Sequence, residues 1–157
     1  MDGGAPFYRC YRTRDGGFMS VAAVEPAFYA NFLRVLLLDG VSPSAQWNRA
    51  RWPEVAQQIA GEFSKRTRSY WVEAFQDVEA CVEPVLGIAE SFRHPQAVAR
   101  GLFNVVDGLV QVSPAPRFSR TPNKTPNHWA RSGEHTVEIR DEVRNEAVNV
   151  RRGPSPL

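Results

Sequence analysis

The chain has 157 residues, of which 43% are hydrophobic and 23% charged, so it is long enough to form one globular domain with a hydrophobic core. The formal net charge of +2, with scattered Arg and Lys residues, excludes a basic surface of the kind that binds nucleic acids. The longest apolar run, residues 35–38, is far too short to cross a membrane, and the N-terminus lacks the layout of a signal peptide. We therefore expect a protein without nucleic-acid or membrane partners that is cytoplasmic, with a peroxisomal or mitochondrial location as the alternative in a eukaryotic host.

Cysteine and histidine are rare in this chain. Cys10 and Cys81 are too few for a disulfide framework and fit a reducing compartment, and both are predicted to be small buried residues in strands. The histidines His94, His128 and His135 are widely separated and show no metal-ligand spacing. We therefore expect neither a bound metal nor a cofactor.

The first elements are a predicted hairpin and a helix. Residues 7–13 and 18–24 are rich in aromatic, small and β-branched residues, and Asp15-Gly16-Gly17 between them favours a tight turn. Pro26 suits the first position of a helix, and Gly40 can end that helix in a left-handed cap. The predicted inward face consists of Phe28, Phe32, Val35 and Leu36.

Two further helices and an edge strand follow. Pro53 opens the second helix, and its apolar residues recur every four positions, at Val55, Ile59 and Phe63. Thr67 can cap the third, whose predicted inward residues are Tyr70, Trp71, Ala74 and Phe75. Residues 81–82 then form a short predicted strand, which Pro84 confines to an edge or an end.

The remaining chain is less regular. Residues 89–92 and 95–102 are short helical pieces, and residues 103–112 form a second predicted hairpin around an Asp-Gly turn. Residues 113–132 are rich in Pro, Asn, Ser and Thr, which predicts an extended connector. Residues 137–150 regain helical propensity, although the apolar stripe is weak.

These elements predict an α+β fold, with a short antiparallel or mixed sheet and helices on one side. We divide the chain into a linker at residues 1–6, a small α+β domain at 7–112, the Pro-rich connector at 113–132 and a tail at 133–157.

Glu25 lies at the predicted junction of the first hairpin with the first helix, where a carboxylate can point into a cleft as an acid or base. A plainer interpretation is also open. Glu25 precedes Pro26, so its charge could favour the positive end of the helix dipole, although Glu is a poor cap.

Three motifs give the chain a family resemblance. They are Asp2-Gly3-Gly4-Ala5-Pro6-Phe7-Tyr8, Tyr11-Arg12-Thr13-Arg14-Asp15-Gly16-Gly17-Phe18-Met19 and Glu25-Pro26-Ala27-Phe28-Tyr29. Together they resemble the second half of α-methylacyl-CoA racemases, a branch of the family III CoA-transferases. Further matches follow in the family's order to about Thr136, at residues 46–53, 80–86, 115–122 and 133–136.

The resemblance implies racemisation of 2-methylacyl-CoA thioesters by proton removal and return. In such enzymes a histidine and an aspartate come from a large Rossmann-like domain, and a glutamate comes from the small domain. By the motif, Glu25 is that catalytic glutamate and would hydrogen-bond to and orient the histidine. Gly3, Gly4 and Pro6 match a flexible glycine loop of related transferases and are candidate substrate-binding residues, unless they form only an interdomain turn.

The large-domain motifs lie upstream of the matched region, so the resemblance covers the small domain and a tail, residues 133–157, that returns to the large domain. None of the three histidines stands in the family's histidine motif. We therefore expect the chain alone to be inactive, with acyl-CoA as substrate, no cofactor beyond it, and either a homodimer partner or a missing large domain completing the site.

Two alternatives stay open. The chain could serve a CoA-transferase of the same superfamily, which passes CoA between carboxylic acids through an aspartyl thioester. It could also be a non-catalytic fragment or interaction module, with exposed apolar surface for a partner.

Overall fold

A three-stranded antiparallel sheet organises the N-terminal part of the computed structural model, which describes residues 3–126 and 128–152 and side chains through residue 145. The strands are β1 (Tyr8–Arg12), β2 (Phe18–Ala22) and β3 (Val82–Pro84), with β2 in the centre. Gly16 has φ +82° in the tight turn between β1 and β2, a conformation that glycine adopts without strain. The predicted hairpin and the predicted edge strand are both confirmed.

Three helices belong to the same compact unit, Met1–Gly87, and they are α1 (Pro26–Val35), α2 (Trp52–Lys65) and α3 (Arg68–Phe75). Short 3-10 turns at Pro43–Ala45 and Arg49–Arg51 connect α1 to α2. The predicted apolar stripe of α2 is buried, and Thr67 accepts a hydrogen bond from the backbone N–H of Tyr70 as the predicted cap of α3.

Aromatic side chains form the centre of this unit. Phe63 stacks on Tyr11 of β1 with ring centroids 5.4 Å apart, and it also contacts Phe32 of α1 and Phe75 of α3. The Tyr11 hydroxyl donates to the Pro6 carbonyl at 2.6 Å, and burial raises the pKa of Tyr11 far above its ordinary value. One ring of α2 thus joins the sheet to the other two helices.

The end of α1 differs from the prediction. The helix stops at Val35, and Leu37, with φ 56°, takes the left-handed position that was expected at Gly40. The N–H groups of Leu37 and Leu38 donate to the carbonyls of Arg34 and Leu33, which is the Schellman pattern of helix ends. Leu38 packs against the core, and this burial offsets the strain of a left-handed leucine.

Three other side chains are more exposed than predicted. Tyr70 is 46% exposed, because its ring lies against the outside of Trp71 with Arg66 over it. Cys10 is exposed because side chains alternate along β1, and its neighbour Tyr11 takes the buried face. Cys81 is exposed at a left-handed position, φ 51°, before β3 begins.

The second compact unit, Ile88–Leu157, contains α4 (Ile88–Ser91), α5 (Pro95–Ala99), β4 (Phe103–Val106), β5 (Leu109–Val112) and α6 (Thr136–Arg152). Asp107 and Gly108 have φ of 50° and 78°, so the second predicted hairpin is confirmed with a left-handed turn. Helix α6 contains the segment predicted from weak periodicity.

The described residues of the segment 113–132 form no helix or strand, as predicted for a connector. The chain as far as it is described has no helix with the length and apolar character needed to cross a membrane. The domain bounds inferred from the sequence stay a prediction.

The carboxylate of Asp15 links the first hairpin to α3. It accepts the Thr13 hydroxyl at 2.5 Å and the backbone N–H of Arg68 at 3.0 Å, and these hydrogen bonds hold the pKa of Asp15 below its ordinary value. A lowered pKa in the folded state stabilises the fold above the unfolded pKa of about 3.9, and the effect is lost as the pH falls through the folded pKa.

We therefore expect Asp15→Asn to lower the urea midpoint at pH 7, with the deficit relative to the unaltered chain shrinking below about pH 4. Asp77→Asn, which changes an exposed aspartate in the same way, should leave the midpoint nearly unchanged. An equal deficit for Asp15→Asn at pH 3 and pH 7 would contradict the assigned role.

Candidate functional site

Glu25 is the residue immediately before α1, and its backbone is extended, with φ −71° and ψ 140°. Its carbonyl accepts the Tyr29 N–H at 2.9 Å, which closes the first turn of the helix. The carboxylate is exposed and makes no hydrogen bond or ion pair with any residue that the structure describes. It therefore does not cap α1 through its side chain, and it is available to a group outside these residues.

Gln46 fixes the backbone that leads to Glu25. Its side chain is buried, and the amide nitrogen donates to the carbonyls of Ala23 at 3.1 Å and Val24 at 2.8 Å. The backbone carbonyl of Gln46 in turn accepts the indole N–H of Trp52 at 2.9 Å. Two carbonyls beyond the end of β2 are thus satisfied by one side chain.

A pocket of about 430 Å³ lies in the first unit, lined by Gly3, Gly4, Ala5, Phe7, Tyr8, Trp47, Arg49 and Trp52. Gly3 has φ +77°, so the backbone there takes a conformation that suits glycine. Pro6 is fully buried and is not among the residues that line the pocket. Two of the three predicted substrate-binding residues therefore share one pocket.

The pocket walls are aromatic. The ring of Phe7 meets Trp47 and Trp52 edge-on, with centroids 5.0 and 5.8 Å away, and Arg49 lies 5.5 Å over the Trp52 ring. Trp47 is 59% exposed, so a flat apolar surface faces solvent beside a cation. Such a site can hold a ligand with an apolar part and an anionic part.

Phe7 also connects this pocket to the region of Glu25. Its ring meets the ring of Tyr29, one helical turn after Glu25, at 5.7 Å. Burial raises the pKa of Tyr29, so its hydroxyl is protonated at neutral pH. The Phe7 ring thus links the wall of the pocket to the first turn of α1, which follows Glu25.

Three residues of this site, Trp47, Arg49 and Trp52, were not predicted from the sequence to line a binding site. The sequence does contain a feature that could have indicated an aromatic site, because two tryptophans stand five positions apart in the polar stretch 46–52. The role of Gln46 had no such signal, since a glutamine between Ala45 and Trp47 gives no indication of the carbonyls it will meet.

The histidines are arranged differently from the prediction. His94 precedes α5 and stands apart from the other two. His128 and His135 were expected to be widely separated, but both lie at Glu134 in the turn before α6, with ligand atoms of the three residues within 4.8 Å of one another. Hydrogen bonds from the Arg131 N–H and from His128 hold the pKa of Glu134 below its ordinary value.

Comparison with known proteins shows that the chain is similar to CoA-transferases of family III and to alpha-methylacyl-CoA racemases. The model of CoA-transferase family III matches residues 1–136. The chain is 42% identical over 142 residues to the alpha-methylacyl-CoA racemase of Mus musculus, covering 88% of this chain and 37% of the relative. It is 39% identical over 145 residues to the Homo sapiens alpha-methylacyl-CoA racemase, covering 90% and 38%. The chain thus spans less than two fifths of the length of these relatives.

Solved structures agree on the fold. The Mycobacterium tuberculosis protein Rv3272 superposes with a TM-score of 0.65 at 16% identity, covering 85% of this chain and 38% of that one. A CAIB/BAIF family protein from Brucella suis gives a TM-score of 0.65 at 18% identity, covering 89% and 38%. The mixed α and β architecture with small antiparallel sheets is therefore shared with these proteins.

The contacts of Gln46 give a prediction for stability. In Gln46→Met the side chain keeps its length but loses the amide N–H groups. The carbonyls of Ala23 and Val24 then lose the hydrogen bonds that Gln46 donates to them. We expect the free energy of unfolding to fall by about 1–3 kcal/mol in urea denaturation. The matched change Gln58→Met, at a glutamine on α2 whose hydrogen bond to Glu54 is exposed, should cost less than about 0.5 kcal/mol. Equal losses in the free energy of unfolding for the two changes would show that the hydrogen bonds of Gln46 to Ala23 and Val24 do not stabilise the backbone beyond β2.

Proposed function

The chain belongs to CoA-transferase family III, and we propose that it forms the small domain of an enzyme that racemises 2-methylacyl-CoA thioesters. The supporting observation is Glu25, which stands exposed at the start of α1 in a chain 42% identical to a racemase. The Glu25-Pro26 sequence favours the racemase branch over the transferases, because the transferase branch usually lacks this glutamate.

The reaction explains why a carboxylate is needed here. The α-proton of a thioester is weakly acidic, so the enzyme needs proton-transfer groups on both faces of the carbon and donors for the enolate oxygen. In the proposal Glu25 accepts a hydrogen bond from a histidine of the large domain. That hydrogen bond fixes the histidine's tautomer and raises its basicity.

The proposed substrate-facing surface of this domain is the pocket whose wall includes Phe7, the residue that contacts Tyr29 in the first turn of α1. Gly3 and Gly4 permit close approach of the backbone to acyl-CoA. Arg49 supplies a positive charge beside the apolar walls, which suits a thioester that carries both apolar and anionic groups. Pro6 is buried and does not line the pocket, so in the proposal it would not touch the substrate.

The rest of the site would come from a large domain, of the same polypeptide or of a second subunit in a homodimer. The matched racemases are longer, since the chain covers 37% and 38% of them. The histidine, the aspartate and most contacts to CoA belong to that domain in the proposal. No cofactor other than the CoA of the substrate is required by this chemistry.

The purified chain by itself should therefore be inactive. With 2-methylacyl-CoA in deuterium oxide, we expect no α-proton exchange above the rate without protein, because Glu25 alone provides neither a second proton-transfer group nor a donor for the enolate. Mass spectrometry of the recovered thioester measures the exchange. Exchange catalysed by this chain would contradict the division of the site between two domains.

A chimera tests the role of Glu25. The matched part of this chain would replace the aligned segment of the Mus musculus relative, and racemisation would be followed by deuterium exchange and chiral separation. In the chimera we expect Glu25→Ala to lower kcat by about 10²–10⁴-fold with a smaller change in KM, because the lost interaction acts in proton transfer. Glu73→Ala, at an exposed glutamate of α3, is the control and should leave kcat unchanged.

The same chimera separates the competing functions. Racemisation that is undiminished in Glu25→Ala would remove Glu25 from the mechanism. An acyl-enzyme burst with CoA transfer, in place of exchange, would favour the transferase. A folded chimera with neither activity would support a non-catalytic module.

A further inference from the structure

The turn before α6 brings together two imidazoles and a carboxylate. His128 Nε2 lies 3.0 Å from Glu134 Oε1, and one ligand atom from each of His128, Glu134 and His135 lies within 4.8 Å of the others. All three side chains are exposed, so solvent can reach the space between them. Imidazole and carboxylate are the donors that Zn²⁺ takes in two-histidine, one-carboxylate sites.

The spacing suits a small cation. Zn²⁺ binds these donors at about 2.0–2.2 Å, so the donors of a tetrahedral site stand about 3.3 Å apart. The His128 to Glu134 distance, 3.0 Å, is about 0.3 Å shorter than this value, and the largest separation must contract by about 1.5 Å, from at most 4.8 Å. Side-chain rotation can supply that shift, because the three residues are exposed.

Backbone hydrogen bonds hold the ligand-bearing turn. Glu134 Oε2 accepts the Arg131 N–H at 2.6 Å, which orients the carboxylate with Oε1 toward His128. The Trp129 N–H donates to Asp107 at 2.8 Å, so the β4–β5 hairpin anchors the residue next to His128. A hydrogen bond to a carboxylate, such as the one from Arg131 to Glu134, is of the kind that orients ligands in metal sites.

His135 has an outer partner of the same kind. Its Nδ1 lies 3.3 Å from a carboxylate oxygen of Glu138, one turn further along α6. Carboxylates paired with histidines in this way orient the imidazole of metal sites. The cluster therefore contains ligands and orienting groups, on a turn set by Gly133 at φ +80°.

We propose that His128, Glu134 and His135 form a binding site for one divalent transition cation, with Zn²⁺ as the ion that this donor set favours. Water would complete the coordination shell. Mg²⁺ and Ca²⁺, which take oxygen donors, would bind poorly. The bound ion would connect His128, near the end of the Pro-rich segment, to His135, immediately before α6. Binding of the ion would not depend on Glu25.

Isothermal titration calorimetry of the 157-residue chain, purified without a histidine tag, tests the site. At pH 7.5 we expect saturable binding of one Zn²⁺ per chain and no comparable binding of Mg²⁺. His128→Gln and His135→Gln should each raise the Kd at least about tenfold, and the double variant should lose the one-equivalent isotherm. Because these side chains are exposed, the variants should keep the circular dichroism spectrum of the unaltered chain.

His94→Gln is the matched control, since it removes the histidine that lies outside the cluster, and it should leave the Kd unchanged. The site would be disproved by the absence of one-equivalent Zn²⁺ binding to the unaltered chain. It would also be disproved if His94→Gln weakened binding as much as the cluster variants, or if folded His128→Gln and His135→Gln chains kept the original Kd.

Discussion

The hydrogen bonds from one glutamine amide determine how the chain leaves the sheet. Beyond β2 the carbonyls of Ala23 and Val24 have no partner in a strand ladder, and Pro26 contributes no N–H to the turn that follows. Gln46, which follows α1 in the sequence, supplies the donors for both carbonyls, and its own backbone carbonyl accepts a hydrogen bond from the indole N–H of Trp52. The backbone that carries Glu25 is therefore specified by residues more than twenty positions later in the sequence.

The aromatic core makes this arrangement rigid. Phe63 contacts rings from β1, α1 and α3, so the strand pair and the helices cannot shift independently without opening a well-packed contact. Phe7 continues the packing outward, from Tyr29 to Trp47 and Trp52. The wall of the pocket and the start of α1 thus rest on one connected set of rings.

The sequence predicted elements whose determinants are local. The hairpin turn at Gly16, the apolar stripe of α2 and the Thr67 cap are each encoded within a few residues, and all are confirmed. The errors arose where tertiary packing decided the outcome. Leu37 took the left-handed position because burying Leu38 offset the strain, and no glycine was needed there.

The same distinction applies to the candidate sites. Glu25 could be found from a motif, but the support of Gln46 depends on a contact across the fold, and the approach of His128 to His135 depends on how residues 129–134 turn.

The chemistry proposed for Glu25 requires more than the structural unit that carries this residue. A carboxylate at the N-terminus of a helix, with no partner among the described residues, has access to solvent on its open side. Proton transfer at the α-carbon of a thioester needs a second group across the carbon and donors at the enolate oxygen, in a space from which water is excluded. An exposed side chain satisfies none of these conditions by itself. A further structural element must therefore close over Glu25 before the proposed reaction can occur, and the rigid support beneath it explains how such an element would meet the carboxylate in one fixed position.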